Sequence, residues 1–84
     1  MLFYVYMLKS IGVKPVTYVG YTKNLKNRIK LHNSGKGAKY TRGRGPFKVV
    51  LHERYLHRGS ALRRERQIKA LTRREKLCLI KMNI

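Results

Sequence analysis

Acid is what this sequence holds least of. Its 84 residues carry three glutamates, Glu53, Glu65 and Glu75, and no aspartate, against 21 lysines and arginines, for a formal net charge of +18. Three carboxylates cannot neutralise that many cations within the chain. Cysteine is nearly absent too: the lone Cys78 excludes an intramolecular disulfide and fits a reducing, cytosolic setting. No apolar run approaches the ~18 residues of a membrane span, and the start, Met1-Leu2-Phe3, lacks the basic n-region of a signal peptide. The length leaves no room for a second domain, so residues 1–84 are expected to form one. With 43% hydrophobic residues the chain is not a disordered basic tail.

What remains is a small, very basic domain. A folded chain of this size exposes about 5,000 Å². Charges spread evenly over that surface would be partly screened, whereas charges gathered on one face make a polyanion site. A nucleic acid is the partner that such a surface favours most, through counterion release on neutralising several phosphates.

The pattern predicts the order strand, strand, helix, strand, helix, helix: an α/β (α+β) domain with a small, mainly antiparallel three-stranded sheet flanked by helices. The apolar run from Leu2 to Leu8 reads as a central strand covered on both faces. A turn through Ile11-Gly12-Val13-Lys14-Pro15 leads to a second strand, Val16 to Tyr21. With Gly12 at the turn centre, Tyr6 pairs opposite Tyr18, both side chains on one face. A helix is predicted over Asn24 to Asn33, capped by Thr22 or Asn24 and stopped by Asn33-Ser34-Gly35. Its stripe carries Leu25, Ile29 and His32, with Arg28 on the flank. A loop rich in Gly, Lys and Arg runs from Gly35 to Pro46, followed by a strand over Phe47 to Leu56 in which Phe47, Val49 and Leu51 alternate with polar neighbours. Ser60 is the expected cap of a helix over Ala61 to Leu71, and Thr72-Arg73-Arg74-Glu75 is a capping box opening the last helix.

The three carboxylates separate by context. Glu75 belongs to the capping box, and Glu53, on the third strand, is expected to be a surface ion-pair partner of small energetic value. Glu65 falls on the apolar stripe of its helix with Ala61, Leu62 and Ile68, so it needs a partner. Periodicity leaves two: a neighbouring arginine, or a divalent cation that completes its shell with water and phosphate oxygens.

Taken together, these residues resemble the GIY-YIG nuclease family. Tyr4-Val5-Tyr6 stands at the first motif and Tyr18-Val19-Gly20 at the second, followed by Arg28 at the helix arginine, His32 one turn later, and Glu65 at the single metal-binding glutamate. The loop from His32-Asn33-Ser34-Gly35 to Gly43-Arg44-Gly45-Pro46, with Ala61-Leu62-Arg63-Arg64-Glu65, resembles the small stand-alone bacterial members. The likeness covers about residues 3 to 80 and rests on the ordered set of six positions rather than on any one tripeptide. The sequence departs from the pattern in two places. Tyr4-Val5 replaces Gly-Ile, as in the stand-alone group, and Tyr21 follows Gly20 where excision-repair members carry a lysine, whose duty Lys23 is placed to take.

The resemblance implies an endonuclease hydrolysing DNA phosphodiester bonds with one Mg²⁺ or Mn²⁺ held by Glu65. Tyr6, Tyr18, Arg28 and His32 are the implied catalytic residues, with either tyrosine as the candidate base and His32 sharing its proton or orienting it. A phenol with a pKa near ~10 needs nearby cations to act as a base at pH 7. Lys23, Lys36, Lys39, Arg42, Arg44, Arg63 and Arg64 are candidate phosphate contacts and Tyr40 a stacking platform. His52 and His57 lack zinc-ligand spacing. With no helix-turn-helix or finger signature, selection is expected by DNA structure (branched, nicked or single-stranded forms), in repair or recombination, with a separate targeting protein as a possible partner. The rival expectation is a basic nucleic-acid-binding module with the nuclease fold and little activity. On either reading, added salt or a short DNA duplex should raise the melting temperature by relieving self-repulsion. A melting temperature unchanged by both would show that the charge is evenly spread and idle.

Overall fold

The computed structural model describes residues 2–12 and 14–82. Three strands, β1 (Phe3–Ser10), β2 (Thr17–Thr22) and β3 (Phe47–Tyr55), form one antiparallel sheet in the order β2-β1-β3. The helices are α1 (Leu25–Asn33), α2 (Arg58–Lys69) and α3 (Arg73–Met82), and Lys39–Thr41 form a single 3₁₀ turn in the basic loop. The predicted element order and the central place of the first strand are both observed.

A strand at the centre of a sheet with helices on both faces must be apolar on both, and β1 is. Val5 and Met7 point to one face, where they pack with Val19, Leu51, Ala61 and Ile68 under α2. Tyr6 and Leu8 point to the other, packing with Phe47, Tyr18, Leu25 and Ile29 under α1. Burying each such side chain is worth about 1.5–3 kcal/mol, so a core this small depends on β1 contributing twice. The third helix buries no residue fully; Leu79 and Ile80 lean on the α2 side of the core.

Register corrects one expectation. Tyr6 pairs with Gly20, and Leu8 with Tyr18. The hairpin closes where the Ser10 amide donates to the Val16 carbonyl (2.9 Å) and the Val16 amide donates to Ser10 Oγ (2.8 Å), and the pairing is shifted by two residues from the expected one. Val13 of the expected turn lies outside the described residues. A two-residue shift leaves the faces unchanged, so Tyr6 and Tyr18 remain diagonal neighbours.

A second correction lies in β3. Its pairing with β1 slips between Met7 and Leu8: Leu8 faces Val49 and Met7 faces Leu51, leaving Val50 as an extra residue. One extra residue inverts the alternation, so Phe47 and Val49 pack on the α1 side whereas Leu51 packs on the α2 side. That inversion also turns Glu53 toward α2. There the Arg64 guanidinium grips it through Nε (2.8 Å) and a terminal nitrogen (3.1 Å), and the Tyr55 hydroxyl donates to the same carboxylate at 2.6 Å. Glu53 is therefore a part-buried, bidentate ion pair rather than a loose surface one.

Helix ends follow local chemistry. Asn24 caps α1, its Oδ1 accepting from the Asn27 amide at 3.0 Å. At the other end Lys36 donates to Leu31 O (2.8 Å) and Gly35 to His32 O (3.2 Å), with Gly35 at φ 79°: a Schellman closure that needs a residue tolerant of positive φ. The Asn33 side chain then clamps β3, accepting from the Phe47 amide at 2.7 Å. The expected capping box is present, with Thr72 N donating to Glu75 Oε1 (2.9 Å) and Glu75 N to Thr72 Oγ1 (3.2 Å). Ser60, by contrast, does not cap α2. The helix starts earlier, at Arg58 after His57, and Ser60 lies in its first turn.

Burial alone would raise the Glu53 carboxyl, but the hydrogen bonds from Arg64 and Tyr55 and the Arg64 charge outweigh it and hold its pKa below the ordinary 4.5. A lowered folded-state pKa contributes stability above the unfolded value, and that contribution disappears as pH falls through the folded one. Glu53→Gln should therefore destabilise the fold by about 1–2 kcal/mol at pH 7. Denaturation followed from pH 6 to pH 3 should show the wild-type advantage shrinking below 4.5; a constant advantage contradicts the assignment.

Candidate active site

Tyr6 projects from the central strand toward α1, and its phenol lies across Gly20, the β2 residue paired with it. A Cβ built on Gly20 would stand 2.6 Å from the Tyr6 hydroxyl oxygen, 2.9 Å from its Cζ and 3.1 Å from the Tyr18 ring. Only hydrogen leaves room for the phenol there, which is the physical reason for glycine in Tyr18-Val19-Gly20. The hydroxyl oxygen ends 2.9 Å from Nε2 of His32, which α1 brings in from its last turn. His32 is buried, and its Nδ1 lies 2.8 Å from the hydroxyl of buried Thr41 on the 3₁₀ turn. Gly37 closes over the imidazole, where a Cβ would come within 2.8 Å of its Cγ.

Tyr18 completes an aromatic wall. Its ring centroid lies 6.4 Å from that of Tyr6, 5.0 Å from His32 and 6.3 Å from Tyr40, the last pair stacked at 23°. The Arg44 guanidinium sits 4.8 Å from the Tyr40 ring, so the tyrosine expected as a stacking platform already carries a cation and a neighbouring ring. Tyr6, Tyr18 and His32 are thus in mutual contact, and α1 holds Arg28 near enough to act on two of them electrostatically.

Burial, first of all, pushes the Tyr6 hydroxyl far above 10.0; Tyr18 and Glu65 add to the rise and Arg28 opposes it. Burial and then the Arg28 charge hold His32 below its ordinary 6.5. The pair at pH 7 is therefore a protonated phenol and a neutral imidazole. Glu65 stands on α2, on the opposite side of the sheet from α1, yet its charge reaches Tyr6. Its carboxylate is 14% exposed, with Lys69 Nζ at 3.7 Å, beyond hydrogen-bond distance. A hard, weakly engaged carboxylate suits a divalent ion that keeps water and phosphate oxygens among its ligands. Among the described residues there is no cluster of three or more His, Cys, Asp or Glu, so a fully protein-built cage is not available.

The cations divide. Arg28 and Lys23 line a cleft of about 410 Å³ with Tyr21, Thr22, Asn24 and Arg58. Arg58, whose guanidinium donates to the Tyr21 hydroxyl at 3.1 Å, is not marked by the sequence pattern, which begins this helix at Ala61, three residues after the observed start. Thr41 and Gly37 are not marked by it because a loop has no period to mark an inward-facing residue. Lys36, Lys39, Arg42 and Arg63 are exposed, whereas the Arg64 fork is committed to Glu53. No helix of the described residues is long and apolar enough to cross a membrane.

Residues 2–77 match the GIY-YIG catalytic domain. The chain belongs to the GIY-YIG family. Within it, the chain resembles small stand-alone members. It is 48% identical over 77 residues to a UPF0213 protein of Oceanobacillus iheyensis, covering 92% of this chain and 87% of that one. It is 53% identical over 77 residues to a UPF0213 protein of Clostridium perfringens, covering 92% and 81%. The solution NMR structure of the UPF0213 protein from Bacillus halodurans superimposes with a TM-score of 0.62 at 45% identity, covering 98% of this chain and 85% of that one. The family is a nuclease family.

The Gly20 contact yields a test. Gly20→Ala should displace the Tyr6 phenol and destabilise the domain by about 1–3 kcal/mol, the usual range for overpacking. Gly59→Ala, whose nearest neighbour would be Arg63 at 3.9 Å, should be neutral or stabilising by about 0.5 kcal/mol. Equal melting temperatures for the two variants would contradict the packing of Tyr6 over Gly20.

Proposed function

We propose that this protein is an endonuclease that hydrolyses DNA phosphodiester bonds with the aid of one divalent ion, Mg²⁺ or Mn²⁺. The observation that carries the reading is the 2.9 Å contact between a protonated Tyr6 and a buried, neutral His32, beside Arg28 and within the field of Glu65. Glu65 would hold the ion, which when bound supplies positive charge against a nonbridging oxygen and the leaving oxygen.

The remaining work falls to the chain. Arg28 donates its planar fork to the phosphate, where two parallel hydrogen bonds fix the scissile group. A phenol shifted upward is a poor base by itself. With His32 it becomes a relay: the Tyr6 oxygen takes a proton from the attacking water as its own proton passes to the imidazole. The resulting hydroxide forms the new P–O bond, the P–O bond to the leaving oxygen breaks, and that oxygen takes a proton from solvent. Tyr18, tilted against His32 on one side and stacked on Tyr40 on the other, holds the pair in place. Lys23 and Arg58 line the approach, and Lys36, Lys39, Arg42, Arg44 and Arg63 contact flanking phosphates. Arg64 drops out of that set because its fork is already used.

Contacts made through exposed lysines and arginines read the backbone, so selection falls on DNA structure, with repair or recombination in the cytosol and a separate targeting protein as the setting. The test is a panel of branched, nicked, flapped and single-stranded DNA with Mg²⁺ or Mn²⁺. Glu65→Ala should lower the cleavage rate by about 100-fold or more while DNA affinity stays within about twofold. Cleavage of the panel by Glu65→Ala at the wild-type rate overturns the mechanism. No turnover by the wild-type chain, with salt-sensitive binding retained, would favour the binding-module reading. The rate should also fall on acidification through a group titrating below pH 6.5, as His32 gains the proton that it must receive from Tyr6.

A further inference from the structure

The hydrogen bonds around His32 have a fixed direction, and it originates outside the motif residues. Thr41 Oγ1 lies 2.8 Å from the Ala38 carbonyl oxygen. A carbonyl cannot donate, so the single hydroxyl proton of Thr41 points at Ala38. The same oxygen lies 2.8 Å from His32 Nδ1, toward which it has only lone pairs left. Nδ1 must therefore carry the proton of the neutral imidazole. Nε2 is then bare and accepts from the Tyr6 hydroxyl at 2.9 Å. Every buried side-chain nitrogen and oxygen among the described residues has a partner, so the chain of bonds has no gap to reverse it.

We propose that Thr41 is a positioning residue: anchored on the Ala38 carbonyl, it fixes His32 as the Nδ1–H tautomer and so keeps Nε2 open to receive the Tyr6 proton. The alternative tautomer would leave the imidazole donating to Tyr6 and unable to take anything from it. Thr41 is 0% exposed and touches neither bulk solvent nor the cleft lined by Arg28, so it acts only through His32. Its backbone supports the same geometry, since the Thr41 amide also donates to Ala38 O at 3.0 Å. The 3₁₀ turn that holds it carries Lys39 and Tyr40, so the basic loop and the tautomer of His32 are built from one short segment. The role in turnover rests on the endonuclease reading; the tautomer does not.

Long-range ¹H–¹⁵N correlation spectra of the histidines separate the two questions. At pH 7 the wild-type His32 should show a protonated Nδ1 and a bare Nε2. Thr41→Val keeps the shape but removes the acceptor, and should shift His32 toward protonated Nε2, whereas Thr41→Ser should keep the wild-type pattern. In cleavage assays Thr41→Val should lower kcat by about 100-fold with KM for DNA unchanged, and Thr41→Ser should restore it. A wild-type spectrum with protonated Nε2 overturns the proposal, and that spectrum is available even if Thr41→Val fails to fold. An unchanged tautomer in a folded Thr41→Val overturns it as well. The expected tautomers without turnover in any variant would overturn the endonuclease reading, and with it the role in turnover, but leave the assignment of Thr41 as the residue fixing His32 intact.

Discussion

The hydrogen bond between Tyr6 and His32 is the contact on which the rest of the molecule turns. It joins the central strand to α1 across the top of β2, and its 2.9 Å length depends on Gly20 offering no side chain. Both partners are almost fully buried, in a domain whose core has few large side chains to lose. A buried polar pair in so small a core is stable only when each atom is satisfied, and the Thr41 and Ala38 contacts complete the set. The same burial that makes the pair a structural element displaces both protonation equilibria: the phenol keeps its proton and the imidazole stays neutral. Structure and proposed chemistry thus have one origin.

The scarcity of acid takes on a second meaning in this setting. Each carboxylate has a separate environment: Glu53 binds Arg64 and Tyr55 across the sheet, Glu75 closes the capping box of α3, and Glu65 pairs loosely with Lys69 at 3.7 Å while its field reaches Tyr6. Eighteen net positive charges over 6035 Å² then leave the cleft beside Arg28 with cations and no competing acid among its lining residues. A phosphate entering that cleft meets Arg28, Lys23 and Arg58 before anything of its own sign.

Much of this was legible in the sequence. The two-sided run Leu2 to Leu8 announced a central strand, and tyrosine spacing put Tyr6 and Tyr18 on one face even with the pairing misjudged, because a two-residue slip preserves parity. What stayed hidden has a common cause. The bulge at Val50 inverts the alternation of β3 and sends Leu51 and Glu53 to the α2 side, yet an extra residue leaves no mark in a run of apolar residues. The early start of α2 went unseen because Ser60 imitates a cap. Thr41 and Gly37 sit in a loop, where inward placement is decided by tertiary contact with His32 rather than by local pattern.

If Tyr6 and His32 act as one device, their removal must be non-additive, and a double-mutant cycle on single-turnover DNA cleavage reads this directly. Tyr6→Phe and His32→Gln should each slow cleavage by about 100-fold, and the double variant should be no slower than the worse single one. Losses that multiply to about 10⁴-fold would show two residues acting independently, and would contradict the relay.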